Sequence, residues 1–357
     1  MTTKKWLSIH IFYASNANPM LLEAVEPLAN DLRERGLIQR YFFIRYFQEG
    51  PHIRLRLLLE EGISEELVKR EVEKAINGYL KRRPALYSAD NEKAQSFYKD
   101  MYITEYGLEK WNEVYGAEGR MPLRPNNSLH YIDYEPEYGR YGGPEGIEVA
   151  EWHFEKSSEI VMELIRTTNL HVRPILLGLS IQLALPLCFG LLEDEQLVIQ
   201  FLAGYGKYWM DNYRKDHQGP ELTANFEKKF VKVSPYLQRR LAEIQGYVVQ
   251  DQSGALTPVE REWIGHIRAL KERLAALAAA RKLVFQGRST QDQAYIPSQP
   301  AIASSILLTS YIHMTNNRLG ASITDEIYLA YLMQRALEEQ QRAATGQAIQ
   351  LFQEVAS

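Results

Sequence analysis

Residues 41–59, YFFIRYFQEGPHIRLRLLL, constrain the chain more than any other stretch. Two apolar, aromatic-rich runs flank Gln48-Glu49-Gly50-Pro51, and glycine and proline at that point mark a hairpin loop. In the second run Ile53, Leu55 and Leu57 fall on one face. His52, Arg54 and Arg56 fall on the other, because successive strand side chains point to opposite sides. Two arginines on one face of a core strand are costly unless a carboxylate or another anion meets them. An antiparallel sheet with one wet face carries them with no function at all. On either reading the hairpin makes an antiparallel sheet the centre of the fold.

The flanking sequence supplies the rest of that sheet. Residues 6–13 alternate large apolar side chains and read as a strand. Leu21, Leu22, Val25, Leu28 and Leu32 recur at helical spacing, so a helix is expected over 19–35, stopped by Gly36. A second helix signal starts at Ser64, with Glu65 and Glu66 in its first turn, and runs to Arg82 before Pro84. The order is β-α-β-β-α. One further strand, expected at 129–134, completes a split βαβ unit of ferredoxin-like type. Between them, residues 93–106 mix helix and strand signals, and 118–127 read as a Gly/Pro/Asn-rich loop.

Pro136, Gly139, Gly142, Gly143 and Pro144 crowd the next stretch, which reads as a loop where backbone can approach a ligand. A solvated linker has the same composition. Beyond it the pattern is almost wholly helical. Helices are expected at 145–168, 174–191 with a break near Pro186, 193–214, 235–246, 258–284, 299–317 and 323–343. Polar connections are expected at 216–224 and 287–300. The fold class is therefore α+β. An antiparallel sheet region (1–135), a Gly/Pro-rich loop at the active site (136–148) and a mainly helical, bundle-like region (149–357) follow one another.

Composition excludes several function classes. The net charge of −4 argues against a nucleic-acid coat and a basic membrane-surface protein. The one cysteine, Cys188, sits in an apolar run and closes no intrachain disulfide, which suits a reducing cytoplasm. The N-terminus lacks the apolar core and cleavage site of a signal peptide. Residues 174–192 carry no charge, but Gly178, Ser180, Gln182, Pro186 and Gly190 make a buried helix the better reading than a membrane span. Walker A, GxGxxG, HExxH and GxSxG patterns are absent, and one cysteine builds no zinc site. What remains is charge-based chemistry on a bound organic substrate, with arginines clamping carboxylates and a histidine as acid or base.

The last feature is SYIHMTNNRLG, residues 310–320. On a helix His313, Asn316, Asn317 and Gly320 share one face; a capped helix end with a histidine near the dipole gives the same pattern. Taken together, Gly50-Pro51-His52-Ile53-Arg54-Leu55-Arg56, Tyr134-Glu135-Pro136-Glu137 through Arg140-Tyr141-Gly142-Gly143, and His313-Met314 through Asn316-Asn317-Arg318 resemble the C-terminal domain of lantibiotic dehydratases. The same domain is also found alone as thiopeptide-type bacteriocin biosynthesis proteins. Trp6-Leu7 and the stretch from Ala150-Glu151 to Ser157-Ser158 match as well. The resemblance runs from Trp6 to Gly320.

That resemblance implies action on a ribosomally made precursor peptide with a leader. A separate enzyme, using glutamyl-tRNA, esterifies Ser or Thr with glutamate. The domain then removes the glutamate by β-elimination, leaving dehydroalanine or dehydrobutyrine. It further implies catalytic roles for Arg54, Arg56, Arg140 and His313. His52, Glu137, Tyr141, Asn317 and Arg318 are the expected substrate contacts. Apart from the resemblance, the carboxylate of Glu137 is expected to orient Arg140 or Arg56. Paired guanidinium groups bind carboxylates bidentately and stabilise a departing oxygen, and a histidine moves the proton. Related stand-alone members instead join two dehydroalanines by a formal [4+2] cycloaddition, forming a pyridine and expelling the leader. A third reading is a non-catalytic module that binds the leader along a strand edge. No metal or organic cofactor, direct nucleic-acid contact or membrane contact is expected, and the sequence leaves room for a homodimer.

Overall fold

The computed structural model describes residues 5–87, 90–213, 219–249, 256–286 and 293–355. The chain divides into two compact units that are not consecutive segments. The first comprises residues 1–137, 150–170 and 317–320; the second comprises 138–149, 171–316 and 321–357.

In the first unit Trp6–Phe12 (β1), Ile38–Tyr46 (β2), His52–Leu59 (β3) and Ser128–Tyr131 (β4) form one sheet. Its order is β2-β3-β1-β4, and every neighbouring pair is antiparallel. The hairpin forms where the Gly-Pro signal puts it. Gly50 takes a φ of 114°, which glycine alone adopts without strain, and its N–H donates to the Phe47 carbonyl at 2.9 Å. The alternation holds: Ile53, Leu55 and Leu57 are buried on one face, and Ile9 and Ile11 of β1 share it.

The helix after β1 comes in three consecutive stretches, Asn18–Met20, a wider π-turn at Leu21–Val25, and Glu26–Glu34. Pro27 has no N–H to donate, and the helix widens in the turn before it. Glu65–Arg82 follows β3 and packs on β4. The ambiguous stretch that follows proves helical. Glu92–Tyr106 starts at Asn91, whose side chain accepts from the Ala94 N–H, and Leu108–Tyr115 follows. Tyr98, Tyr102, Trp111 and Met121 give the pair its own small core. Tyr98 and Tyr102 stand one turn apart, so aromatic packing decides between the two signals.

Strand β2 has a free edge, and side chains close it. The Phe43 N–H donates to Ser158 Oγ at 3.2 Å. The Arg45 N–H donates to Asn317 Oδ1 at 2.9 Å, and Asn317 Nδ2 donates back to the Arg45 carbonyl at 2.8 Å. A carboxamide thus takes the place of one residue of an adjoining strand, which removes the pairing hazard of an open edge.

The second unit is helical. Its elements are Tyr138–Tyr141, the start of Gly143–Thr167, Arg173–Leu192, Glu195–Tyr213, Gly219–Val249, Pro258–Ala279, most of Pro300–Leu319, and Ile323–Val355. Ile323–Val355 packs on Glu195–Tyr213, while Gly219–Val249 and Pro258–Ala279 both pack on Arg173–Leu192. A four-strand antiparallel sheet region followed along the chain by a mostly helical one makes the fold α+β.

Several boundaries differ from expectation. Arg173–Leu192 is continuous through Pro186 rather than broken there; its second half is buried almost throughout, and packing holds the turn that the missing N–H weakens. It is long and apolar enough to cross a membrane, but most of it is buried within the protein. Residues 219–224, expected as polar connection, open the helix Gly219–Val249, and the expected helix 258–284 ends at Ala279. Residues 216–218 and 287–292 lie outside the described residues.

The expected loop 136–148 is mostly helical as well, with Tyr138–Tyr141 followed directly by the helix from Gly143. Its glycines answer to side chains and backbone of residues 283–286. Gly142 has a φ of 86°, and a Cβ on it would come within 3.0 Å of Leu283 and 3.2 Å of Phe285. The Gly142 carbonyl accepts from the Val284 N–H, and the Gly139 carbonyl from the Gln286 N–H, both at 3.0 Å. The close approach expected of a ligand is made by residues 283–286.

Candidate functional site

Two groups of polar side chains stand out, one in each unit. The first lies on the second face of the sheet. Register places His10 opposite Arg54 on one side and opposite His130 on the other, with Phe42 beside Arg56 and Tyr46 beside His52. The face is only partly solvated, with Arg54, Tyr46 and His130 half-buried. Arg56 is 5% exposed, and His10 and His52 are buried. Among the described residues no carboxylate forms an ion pair with Arg54 or Arg56, and Arg56 Nη1 is buried with no hydrogen-bond partner.

Imidazoles and aromatic rings take the place of carboxylates. The Gly50 carbonyl can only accept, so His52 Nδ1–H donates to it at 2.8 Å, leaving Nε2 to accept from Arg54 Nε at 3.2 Å. Arg56 Nη2 donates to His10 Nε2 at 3.3 Å. The Arg54 guanidinium lies 3.5 Å from the centre of the Tyr46 ring, and Arg56 lies 5.3 Å from that of Tyr134. His10 and His52 stack at 4.9 Å.

Burial, then the Arg54 and Arg56 charges, pulls the His10 pKa down to about 2. Burial likewise pulls His52 down to about 3, against the opposing bond to Gly50. Burial and the Arg54 charge bring Arg56 down to about 9. At neutral pH the imidazoles are therefore neutral acceptors, and the guanidinium groups carry the charge. At the rim Arg124 pairs with Glu49 and lies 3.4 Å from His130 Nδ1, while Ser128 Oγ lies 2.9 Å from His130 Nε2.

The second group lies on the helix Pro300–Leu319 and its neighbours. Arg140 Nε donates to Ser310 Oγ at 2.8 Å, one turn before His313 on that helix. Tyr141 is buried and stacks on Tyr311 with ring centres 6.3 Å apart. His313 is 20% exposed. Its Nδ1 lies 2.9 Å from Glu326 Oε1, and Glu326 is 1% exposed. The Tyr205 hydroxyl also donates to Glu326, and the Trp209 ring tilts over the imidazole at 4.6 Å. Burial and the Glu326 charge push the Tyr205 pKa well above its usual range, so the phenol keeps its proton.

The structure thus groups His52, Arg54 and Arg56 in the first unit, and Arg140, Tyr141 and His313 in the second. Glu137 is exposed at the end of the first unit's leading segment. Asn317 and Arg318, expected at the substrate, have internal tasks instead. Asn317 closes the β2 edge. Arg318 is fully buried, donates from Nε to Ser158 Oγ at 3.1 Å, and lies over the Phe154 ring. A helical-face argument does not see this, because the partners stand more than 150 residues away.

His10 is a member that the sequence reading missed, although strand alternation in residues 6–13 puts it on one face with Ser8. Glu326 had no local signal beyond its place in the first turn of a helix capped by Ser322 and Asp325. Among the described residues no group of three or more His, Cys, Asp or Glu side chains is placed to hold a metal ion.

Comparison with known proteins gives this geometry a context. A family model described as "Lantibiotic biosynthesis dehydratase C-term" matches residues 6–337. No curated protein matches the chain. Among solved structures, the chain resembles the pyridine synthase TbtD from thiomuracin biosynthesis, with a TM-score of 0.72 at 19% identity over 94% of this chain and 98% of that one. It resembles TsrL with a TM-score of 0.65 at 15% identity, over 95% and 96% of the two chains. It also resembles the tRNA-dependent lantibiotic dehydratase MibB from Microbispora sp. 107891, with a TM-score of 0.54 at 17% identity. That match covers 96% of this chain but only 29% of MibB. At these identities the likeness is one of fold.

Proposed function

Since the chain belongs to the lantibiotic biosynthesis dehydratase C-terminal family, whose members modify ribosomal peptides, we propose that it is a pyridine-forming enzyme. It acts on a peptide that already carries dehydroalanines. The observation that carries this reading is the fold match to a pyridine synthase along nearly all of both chains, at 0.72 against 0.54 for the dehydratase.

The chemistry suits the side chains. A formal [4+2] union of two dehydroalanines through an amide leaves a ring that still bears the amide oxygen and the leader. A pyridine bears neither, so water and the leader must both depart with proton transfer. His313, partly exposed and one turn from the Arg140–Ser310 contact, serves as acid and base. Such a group is typically worth about 10²–10⁴-fold. Arg54 and Arg56, which have no carboxylate of their own, stabilise negative charge on peptide oxygen. A separate tRNA-dependent glutamylating system, followed by elimination, supplies the dehydroalanines. The cytoplasm, where precursor peptide and tRNA meet, is the proposed location, and the strand order suits the split βαβ arrangement suggested by the sequence.

A second reading keeps glutamate elimination. One observation favours it: two neighbouring guanidinium groups, one of them buried with an unpartnered Nη1, fit the two carboxyl groups of a departing glutamate. One experiment separates the two. The protein is given, in parallel, a leader-bearing peptide with dehydroalanines and azoles, and a glutamylated precursor. Leader release with new pyridine absorbance supports the first reading. Mass loss of glutamate from the second peptide alone overturns it in favour of elimination. Leader binding with no change in either peptide overturns both.

A further inference from the structure

A buried carboxylate needs an explanation in any fold, and Glu326 has one that points at His313. At 1% exposure its desolvation is costly unless donors compensate it. No lysine or arginine pairs with it among the described residues. Its compensation is two hydrogen bonds, from the Tyr205 hydroxyl and from His313 Nδ1 at 2.9 Å. It also sits in the first turn of Ile323–Val355, where the helix N-terminus favours negative charge. The neighbouring Asp325 is occupied differently, by Ser322 and Arg173.

We infer that Glu326 is a positioning residue for His313, with Tyr205 as its own support. A carboxylate facing Nδ1 accepts a hydrogen bond from it. It therefore selects the tautomer that carries the proton on Nδ1 and leaves the Nε2 lone pair free. No hydrogen bond from Nε2 is made to another side chain among the described residues. The Trp209 ring, 4.6 Å from the imidazole, limits its rotation. The same hydrogen bond stays in place when Nε2 takes a proton, so the ring keeps its orientation through the transfer. Tyr205 donates to the other carboxylate oxygen, Oε2, while His313 faces Oε1; the phenol stays protonated because burial and the adjacent charge oppose ionisation. Lining up a base, a buried carboxylate and a buried phenol fixes the ring as helix packing alone does not.

This inference rests on His313 acting as acid or base, and the test separates the two claims. Turnover is measured with whichever peptide the protein converts, for the wild type, His313→Ala, Glu326→Gln, Tyr205→Phe and His313→Ala/Glu326→Gln. Glu326→Gln keeps shape and removes charge. It should lower kcat by about 10²-fold or more with KM little changed. In the His313→Ala background it should have no further effect, whereas a merely structural role would add its loss to the first. Tyr205→Phe should lower kcat less than Glu326→Gln.

If His313→Ala is inactive and Glu326→Gln is not, the positioning role fails while the role of His313 stands. If His313→Ala retains full activity, the premise itself fails. Nitrogen NMR of the imidazole needs no substrate. A neutral ring protonated at Nδ1 in the wild type, and mixed in Glu326→Gln, supports the inference; a ring protonated at Nε2 in the wild type overturns it.

Discussion

The sheet face and the helical unit hold their histidines in opposite surroundings. On the sheet, His10 and His52 meet guanidinium groups, and each offers a lone pair to an arginine. In the helical unit, His313 meets a buried carboxylate. A cation next to an imidazole opposes its protonation, and a carboxylate fixes which ring nitrogen carries the hydrogen. The same residue type is thereby given two jobs. The sheet histidines are fixed neutral acceptors that hold arginines in place, while His313 donates through Nδ1 to a carboxylate and keeps Nε2 for other partners. Histidine alone predicts little; the charge facing Nδ1 or Nε2 assigns the role.

The comparison breaks most readily in acid. His10 and His52 are neutral in the folded and unfolded chain above pH 6.5, so they make no difference there. Below 6.5 the unfolded chain takes up protons that the folded sheet refuses until about pH 3 for His52 and about pH 2 for His10. Stability therefore falls as pH falls, by up to about 1.4 kcal/mol per pH unit for each histidine. The double variant His10→Gln/His52→Gln keeps an acceptor for each arginine and removes the titration. Its acid-unfolding midpoint should lie lower by a pH unit or more, relative to its stability at neutral pH. An unchanged midpoint would mean that the imidazoles are not held neutral, and the contrast with His313 would be lost.

Arg56 sharpens the same contrast from the cation's side. A guanidinium at 5% exposure with no carboxylate is a charge the fold carries at a loss. Arg56→Met keeps the packing on Tyr134 and Phe42 and removes the charge. Urea unfolding should show a gain of about 1–4 kcal/mol, while turnover falls. A loss of stability would instead make Arg56 a structural residue.

How much of this can be read in the sequence depends on the range of the contacts involved. The hairpin is evident because its signals, Gly50-Pro51 and an alternation of period two, are local. The arginine pair on one strand face is evident for the same reason. Residues 136–148 misled because Gly142 and Gly143 look like loop residues, yet their positive φ values serve the approach of residues 283–286. Asn317 and Arg318 misled likewise, since Arg45 and Ser158, which claim them, are remote in the chain. His10 was within reach of the alternation argument, but a single imidazole on a short strand draws no notice until Arg54 stands opposite it. Glu326 was out of reach: nothing near residue 313 says which side chain of the following helix will turn toward it.

The smallest expected effect concerns how the arginines are held. Arg54 and Arg56 each donate to an imidazole, whereas Arg140 donates from Nε to the hydroxyl of Ser310. A hydroxyl is a looser anchor than a buried imidazole, because it rotates about its Cβ–Oγ bond. Ser310→Ala removes that one acceptor and leaves the helix intact. The bond is worth about 1 kcal/mol net, roughly a fivefold change. If Arg140 binds the peptide in its ground state, the loss should appear as a KM about fivefold higher at unchanged kcat, and Ser310→Thr should restore it. A lower kcat at unchanged KM would put Arg140 with His313 among the groups engaged only as the transition state forms. The helical unit would then hold both the proton-transfer group and a charge-stabilising one, and the division of labour between sheet face and helices would need redrawing.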